Sequence, residues 1–247
     1  MLSLMALCCA GALSAQTSGQ VATYTANNAD GGISDALYNY AMGSVSDKIA
    51  KTDYRDETIE GSPYMSNTFN PGQLFYGDEP AGNIFFRYNA YNEEIETKQN
   101  NLENELIRGL SKDKKIRLVA YGKSMSFKTF IDKNGNTKNG YLTSIVNGDY
   151  KLYKHLKVTF KEAKKADNTF VQSTPAKFTQ FTEYFLESPD GKRIDQVEMG
   201  NKKVLQLLTA SDAQRLKEYL KDKKLKIKDE YDLIEVVNFL NNSNLGS

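Results

Sequence analysis

The chain has 247 residues, 40% of them hydrophobic and 26% charged, a balance that suits one sizeable folded domain or two small ones. With 17 Gly and 5 Pro it is neither collagen-like nor low in complexity, and 32 basic against 31 acidic residues give no bulk-charge reason to expect nucleic acid. One His, two Cys and no Trp remove most metal-site and thiol chemistries at the outset.

Residues 1–15, MLSLMALCCAGALSA, form an uncharged apolar run ending in small side chains. That length matches the apolar core of a secretory signal peptide and is too short to cross a bilayer core of about 30 Å. The expectation is an exported protein, periplasmic, outer-membrane associated or extracellular, cleaved after Ala15. Cys8 and Cys9 both lie in this leader, so a mature chain would have no thiol for a disulfide, a nucleophile or a metal. The segment 16–61 is polar and holds one candidate helix over 33–49. There Leu37, Tyr40, Ala41, Val45 and Ile49 recur at helical spacing behind Ser34 as a cap.

From 62 to 210 the pattern changes to short runs of Tyr, Phe, Val, Ile and Thr separated by turn signals. The expected strands are 73–76, 83–88, 94–98, 116–121, 126–131, 141–146, 150–155, 179–186 and 204–208. Asn134-Gly135, Asn139-Gly140, Asn147-Gly148 and Asp190-Gly191 mark expected turns. The stretch 102–110 fits a strand or a short helix. Residues 211–247 read as a helical pair. Ser211 and Gln214 can form a capping box ahead of Ala213, Leu216, Tyr219 and Leu220, and a second helix from about Asp229 carries Leu233, Ile234, Val236, Val237 and Leu240. The fold class expected is mainly β, of the α+β kind: an antiparallel meander forming a roll, barrel or sandwich, with a C-terminal helical hairpin packed on it.

Charge divides the chain. Residues 16–100 hold 5 basic and 12 acidic side chains, a net of −7, whereas 101–247 hold 27 and 19, a net of +8. The basic half suits either a solvated lysine surface or an anionic partner.

The most distinctive stretch is FFRYNAYNEEIE at 85–96. It reads as a hairpin turning at 89–92, which would place Arg87 opposite Glu94 and Phe86 opposite Ile95. Arg87, Tyr88, Asn89, Tyr91, Glu94 and Glu96 are the candidate binding residues. A structural cross-strand pair, a polar binding site and a carboxylate acid/base pair all fit that pattern, the last only if a cleft separates the two carboxyls. Asp132-Lys133-Asn134-Gly135-Asn136 begins like a calcium loop, but Thr137 and Thr143 stand where the loop needs Gly and Glu, so a plain hairpin loop is expected. His155 reads as a surface or satisfied histidine, and no G-x-S-x-G, H-E-x-x-H or phosphate loop accompanies it. Neither a cofactor nor a metal is indicated, and no residue is assigned to catalysis.

Ser62-Pro63-Tyr64, Phe69-Asn70-Pro71-Gly72 and the 87–96 hairpin, with Lys202-Lys203-Val204-Leu205, Leu225-Lys226-Ile227-Lys228 and Asp232-Leu233-Ile234, resemble a group of uncharacterised exported proteins of Bacteroidota. The resemblance covers about 61–240 and implies an envelope location, but no activity and no functional residue. The function expected is a non-enzymatic envelope protein that binds or scaffolds a macromolecular partner, such as an envelope protein or a cell-wall polymer. A carbohydrate-, peptidoglycan- or lipid-binding module is the alternative and a carboxylate-based hydrolase a more distant one. Association with a membrane surface is compatible with the basic half; nucleic acid is not expected.

Overall fold

The computed structural model describes residues 40–43, 59–164 and 172–242. The expected leader with Cys8 and Cys9, and most of the expected 33–49 helix, lie outside these residues. The described part is mainly β. Twelve strands form one continuous mixed sheet: β1 (Met42–Gly43), β2 (Ile59–Glu60), β3 (Asn70–Tyr76), β4 (Glu79–Asn89), β5 (Glu94–Lys98), β6 (Arg108–Leu110), β7 (Ile116–Ala120), β8 (Lys123–Ile131), β9 (Thr137–Val146), β10 (Lys151–Lys161), β11 (Ala176–Glu187) and β12 (Ile194–Val197). Three helices follow: α1 (Asn201–Leu205), α2 (Ala210–Asp222) and α3 (Glu230–Asn242).

The pairings divide the sheet at β8. On one side, β1, β6, β5, β4, β3 and β7 lie in that order, and β7 pairs with the first half of β8. On the other side, β8 pairs β9, β9 pairs β10, β10 pairs β11 and β11 pairs β12, all antiparallel. β12 then returns to β8 through one parallel bridge, Asp195 to Ile131. Five consecutive strands thus close on themselves. In a five-strand meander the first and last strands run the same way, which is why the closing contact is parallel.

Side-chain alternation shows what the ring encloses. Phe130, Leu142, Tyr153, Phe185 and Ile194, one from each of the five strands, form a separate buried cluster. Around it lie two outer layers. The sheet of β1 and β3–β7 builds the larger core from residues such as Leu74, Ile84, Phe86, Tyr88, Ile95 and Leu118, joined by Met125, Tyr141, Val158 and Phe178 of the ring strands, while β2 pairs in parallel with β11. The helices cover another outer face, where Leu216, Leu220, Leu233, Val236, Val237 and Leu240 pack with Val146, Leu152, Leu186 and Val197. The β body rolls up, within the range of forms expected, although its sheet is mixed rather than wholly antiparallel, and the helical pair packs on it.

Several local expectations need correction. The 204–208 segment is not a strand: α1 occupies Asn201–Leu205, and Asn201 pins the α2–α3 link by donating to the Leu225 carbonyl and accepting from the Ile227 N–H, both at 2.9 Å. Helix α2 starts earlier than the Ser211 box implies. Thr209 is its cap, accepting from the Asp212 N–H at 3.2 Å, while the Asp212 carboxylate accepts from the Tyr150 hydroxyl at 2.6 Å. Met42–Gly43, inside the expected 33–49 helix, pair with β6 as a strand, and 108–110 of the ambiguous stretch is that partner.

The turn signals also divide. Gly135 and Gly191 adopt positive φ, as turns require, and so do Tyr121 and Gly122, which connect β7 to β8 without any Asn-Gly pair. Asn139-Gly140 is no turn. It lies within β9, where a Cβ on Gly140 would stand 2.8 Å from the Glu93 carboxylate.

Candidate functional site

The β4–β5 hairpin turns one residue later than its sequence suggests. Residues 90–93 form the turn, Glu93 has φ +53°, and the register pairs Arg87 with Glu96, Tyr88 with Ile95 and Asn89 with Glu94. The expected Arg87–Glu94 and Phe86–Ile95 oppositions are therefore wrong. The four-residue turn with a left-handed last residue moves every partner by two positions and preserves which residues share a face.

That register separates the six candidate residues. Arg87, Asn89, Glu94 and Glu96 lie on one face, and Tyr88 lies on the other, fully inside the larger core. Tyr91 in the turn packs edge-on against Phe178 and Phe160, with ring centroids 5.5 and 6.1 Å away. On the polar face, the Arg87 Nε and a terminal guanidinium nitrogen each lie 2.6 Å from Glu96 Oε2. Tyr64 OH and Asn89 Nδ2 donate to Glu96 Oε1 at 3.3 Å. The Arg87 guanidinium also stands over the Tyr64 and Phe69 rings at 4.1 and 4.7 Å. Glu96 is thus buried and saturated by donors from three positions. The group joins the 61–69 segment to the sheet and offers no second carboxyl across a cleft.

The last residue of this turn matters more. Glu93 Oε1 lies 2.7 Å from His155 Nε2, and its Oε2 accepts from Tyr88 OH at 2.6 Å and from the Tyr141 N–H at 3.2 Å. Glu183 approaches His155 Nδ1 at 3.4 Å and binds Lys157 at 3.1 Å. His155 and Glu183 are direct cross-strand partners on β10 and β11, on the face that looks into the ring. Burial would lower the imidazole's pKa, but hydrogen bonds and charge from Glu183 and Glu93 outweigh it and push it up to about 9. The proton shared with His155 holds Glu183 below the usual carboxylate range. The sole histidine is therefore a buried cation between two carboxylates, and Tyr88, whose pKa burial and Glu93 push well up, stays a phenol.

The same alternation, two residues at a time, reaches the other end of the ring. Tyr153 faces Phe185 and Lys151 faces Glu187. Glu187 accepts from Tyr153 OH at 2.7 Å and Lys151 at 2.8 Å, with Lys128 at 3.8 Å. Burial would raise the Glu187 pKa, but these donors and charges hold it down. A single layer of apolar side chains is thus sealed by an ionic cluster at each end. Sequence reading passed over Glu93, Glu183 and Glu187. Their signal was the period-two string Lys151, Tyr153, His155 beside Glu183, Phe185, Glu187, which acquires meaning only once the register is known.

The loop after β8 behaves as expected. Asp132 accepts from the Asn134 and Asn136 N–H groups at 2.9 and 2.8 Å and from Asn136 Nδ2 at 3.1 Å, so the loop's own amides occupy it. Among the described residues no group of three or more His, Cys, Asp or Glu is arranged to hold a metal ion, and no helix among them is long and apolar enough to cross a membrane.

Two outward features remain. The α2–α3 link region carries Lys221, Lys223, Lys224, Lys226 and Lys228, all exposed, with no ion-pair partner among the described residues. On the hairpin's outer side, Tyr219 and Phe239 stack at 4.0 Å beside the 83% exposed Tyr231, lining a groove of about 500 Å³ with Asn238 and Asn242. No family model, no curated protein and no solved structure matches this chain.

Proposed function

We propose that this chain is a non-catalytic protein of the cell envelope that binds an anionic macromolecular partner. The observation that carries the reading is the group of five exposed lysines around the α2–α3 link, without ion-pair partners among the described residues, set in the half of the chain with a net charge of +8. Such a group raises the local concentration of an acidic surface and needs no deep cavity. The 87–96 carboxylates do not compete with this reading, because Glu96 and Glu93 already have internal partners. The leader expected at 1–15, and the resemblance to exported proteins, support the location.

Pull-down of envelope extracts on the immobilised protein, with anionic liposomes and cell-wall sacculi as separate arms, tests this. Binding in one arm should weaken steeply between 50 and 300 mM salt and fall at least fivefold in a Lys223→Gln/Lys224→Gln/Lys226→Gln variant. Salt-independent capture, or none in any arm, would remove the proposal.

The aromatic groove favours a second reading, carbohydrate binding. Flat rings at Tyr219, Phe239 and Tyr231 with amides at Asn238 and Asn242 suit a sugar's apolar face and hydroxyls. Retention on glycans that disappears in Tyr231→Ala, but survives the lysine substitutions, would decide for it.

A further inference from the structure

The ring's seam is a site in its own right. β8 and β12 meet only at Ile131–Asp195, supported by the Lys133 N–H donating to Gln196 Oε1 at 2.9 Å. Beside this contact lies a cleft of about 380 Å³, within the range of small-molecule pockets. Phe127 and Phe130 contribute to its walls. Its charged lining is Lys114, Lys128, Lys192 and Arg193 against one carboxylate, Glu187.

The four cations come from separate places: the turn before β7, the middle of β8, and the loop into β12. They are unequally compensated. Arg193 binds Asp195 at 2.6 and 3.2 Å, and Lys192 stands 4.0 Å from Asp190. Lys128 lies over the Tyr153 ring at 5.0 Å, and its one carboxylate, Glu187 at 3.8 Å, is already claimed by Lys151 and Tyr153. Burial lowers the Lys128 pKa, and the charges of Lys151 and Lys114 add to this against the pull of Glu187. Counting the flanking Lys151, Asp190 and Asp195, five cations still face three carboxylates. A half-buried ammonium in excess positive charge gains most from an anion with several oxygens, and the half-buried Phe127 favours an apolar body beside it.

We propose that this cleft binds a small phosphate monoester with an apolar substituent. Its phosphate oxygens would meet Lys128 together with Lys114, Lys192 or Arg193, and its apolar part would lie against the half-buried Phe127. The site is separate from the lysine group of the α2–α3 link, and the two can fail independently.

Calorimetric titration of the full chain with hexyl phosphate, inorganic phosphate and hexyl glucoside provides the test. Hexyl phosphate should saturate at one per chain, inorganic phosphate should bind at least tenfold more weakly, and hexyl glucoside should show no saturation. Lys128→Gln should weaken hexyl phosphate at least tenfold. The double variant Lys114→Gln/Lys192→Gln changes only exposed side chains, keeps the fold, and should weaken it at least fivefold; Lys223→Gln should leave it unchanged. Equal affinity in the double variant, equal binding of the neutral glucoside, or inorganic phosphate matching hexyl phosphate would each overturn the proposal. Vesicles of phosphatidic acid separate the two sources of such a head group. Sedimentation abolished by the double variant would support a lipid, and hexyl phosphate binding without sedimentation would support a soluble ester.

Discussion

His155 keeps its proton because two carboxylates reach it, Glu93 from the β4–β5 turn and Glu183 from β11, and this ties stability to alkaline pH. Its folded pKa of about 9 exceeds the ordinary 6.5, so the folded state binds the proton more tightly. The contribution is complete below about 6.5 and is lost as pH rises through about 9. A difference of that size corresponds to about 3 kcal/mol. Urea unfolding should therefore show stability falling between pH 7 and 10. His155→Gln should cost about 2–4 kcal/mol at pH 7 and flatten that slope. An unchanged slope would mean that the imidazole is neutral at pH 7. Arg87 allows a parallel test. Arg87→Ala leaves a buried Glu96 without its cation and should cost about 2–4 kcal/mol, whereas Glu96→Gln, which keeps the shape and two donors, should cost less. The reverse order would show that Glu96 is not the anchored partner. At this scale the sequence was legible in pattern and silent on pairing. Arg87, Asn89, Glu94 and Glu96 do share a face, but that the face is closed by Tyr64 and Phe69 depends on a segment whose own sequence carries no strand period.

Among the elements, the helical pair is held by one amide as well as by its apolar stripe. Asn241 Oδ1 accepts from the Tyr150 N–H at 2.8 Å, and its Nδ2 donates to the Tyr150 carbonyl at 3.0 Å. Gly148 leaves room for that side chain, since a Cβ there would collide with the Asn241 amide. Asn241→Ala should cost about 1–3 kcal/mol by leaving both backbone groups unpaired, against about 2–5 kcal/mol for Leu216→Ala in the adjoining core. Denaturant midpoints of the two variants check this; no loss in Asn241→Ala would mean that water replaces the amide. Asn147-Gly148 does lie in the β9–β10 connection, as its composition suggests, but its glycine is required by a side chain that arrives from α3. The helices themselves were readable because their apolar residues recur every three to four positions. Val204–Leu208 was not, because five residues hold too little period to separate a short helix from a strand.

Over the whole molecule, β8 belongs to both halves. It pairs β7 at its start, β9 along its length and β12 at its end, so neither the sheet of β1 and β3–β7 nor the ring has an edge there that could melt alone. Leu74→Ala in the larger core and Phe130→Ala in the ring should therefore lower one shared thermal transition, by about 2–5 kcal/mol each. Two resolved transitions in either variant would show two independently folding units. The meander was visible in the strand spacing, but its closure was not. A single bridge between Ile131 and Asp195 leaves no mark in local composition.

That bridge also orders events in time. Every other contact of the ring joins strands adjacent in the chain and can form as soon as both are present, whereas the seam waits for all five. Closing so long a loop for so little pairing makes it a slow, late step. The cleft beside the seam has no walls until that step is complete. A molecule that settles there would recognise only chains that have finished folding.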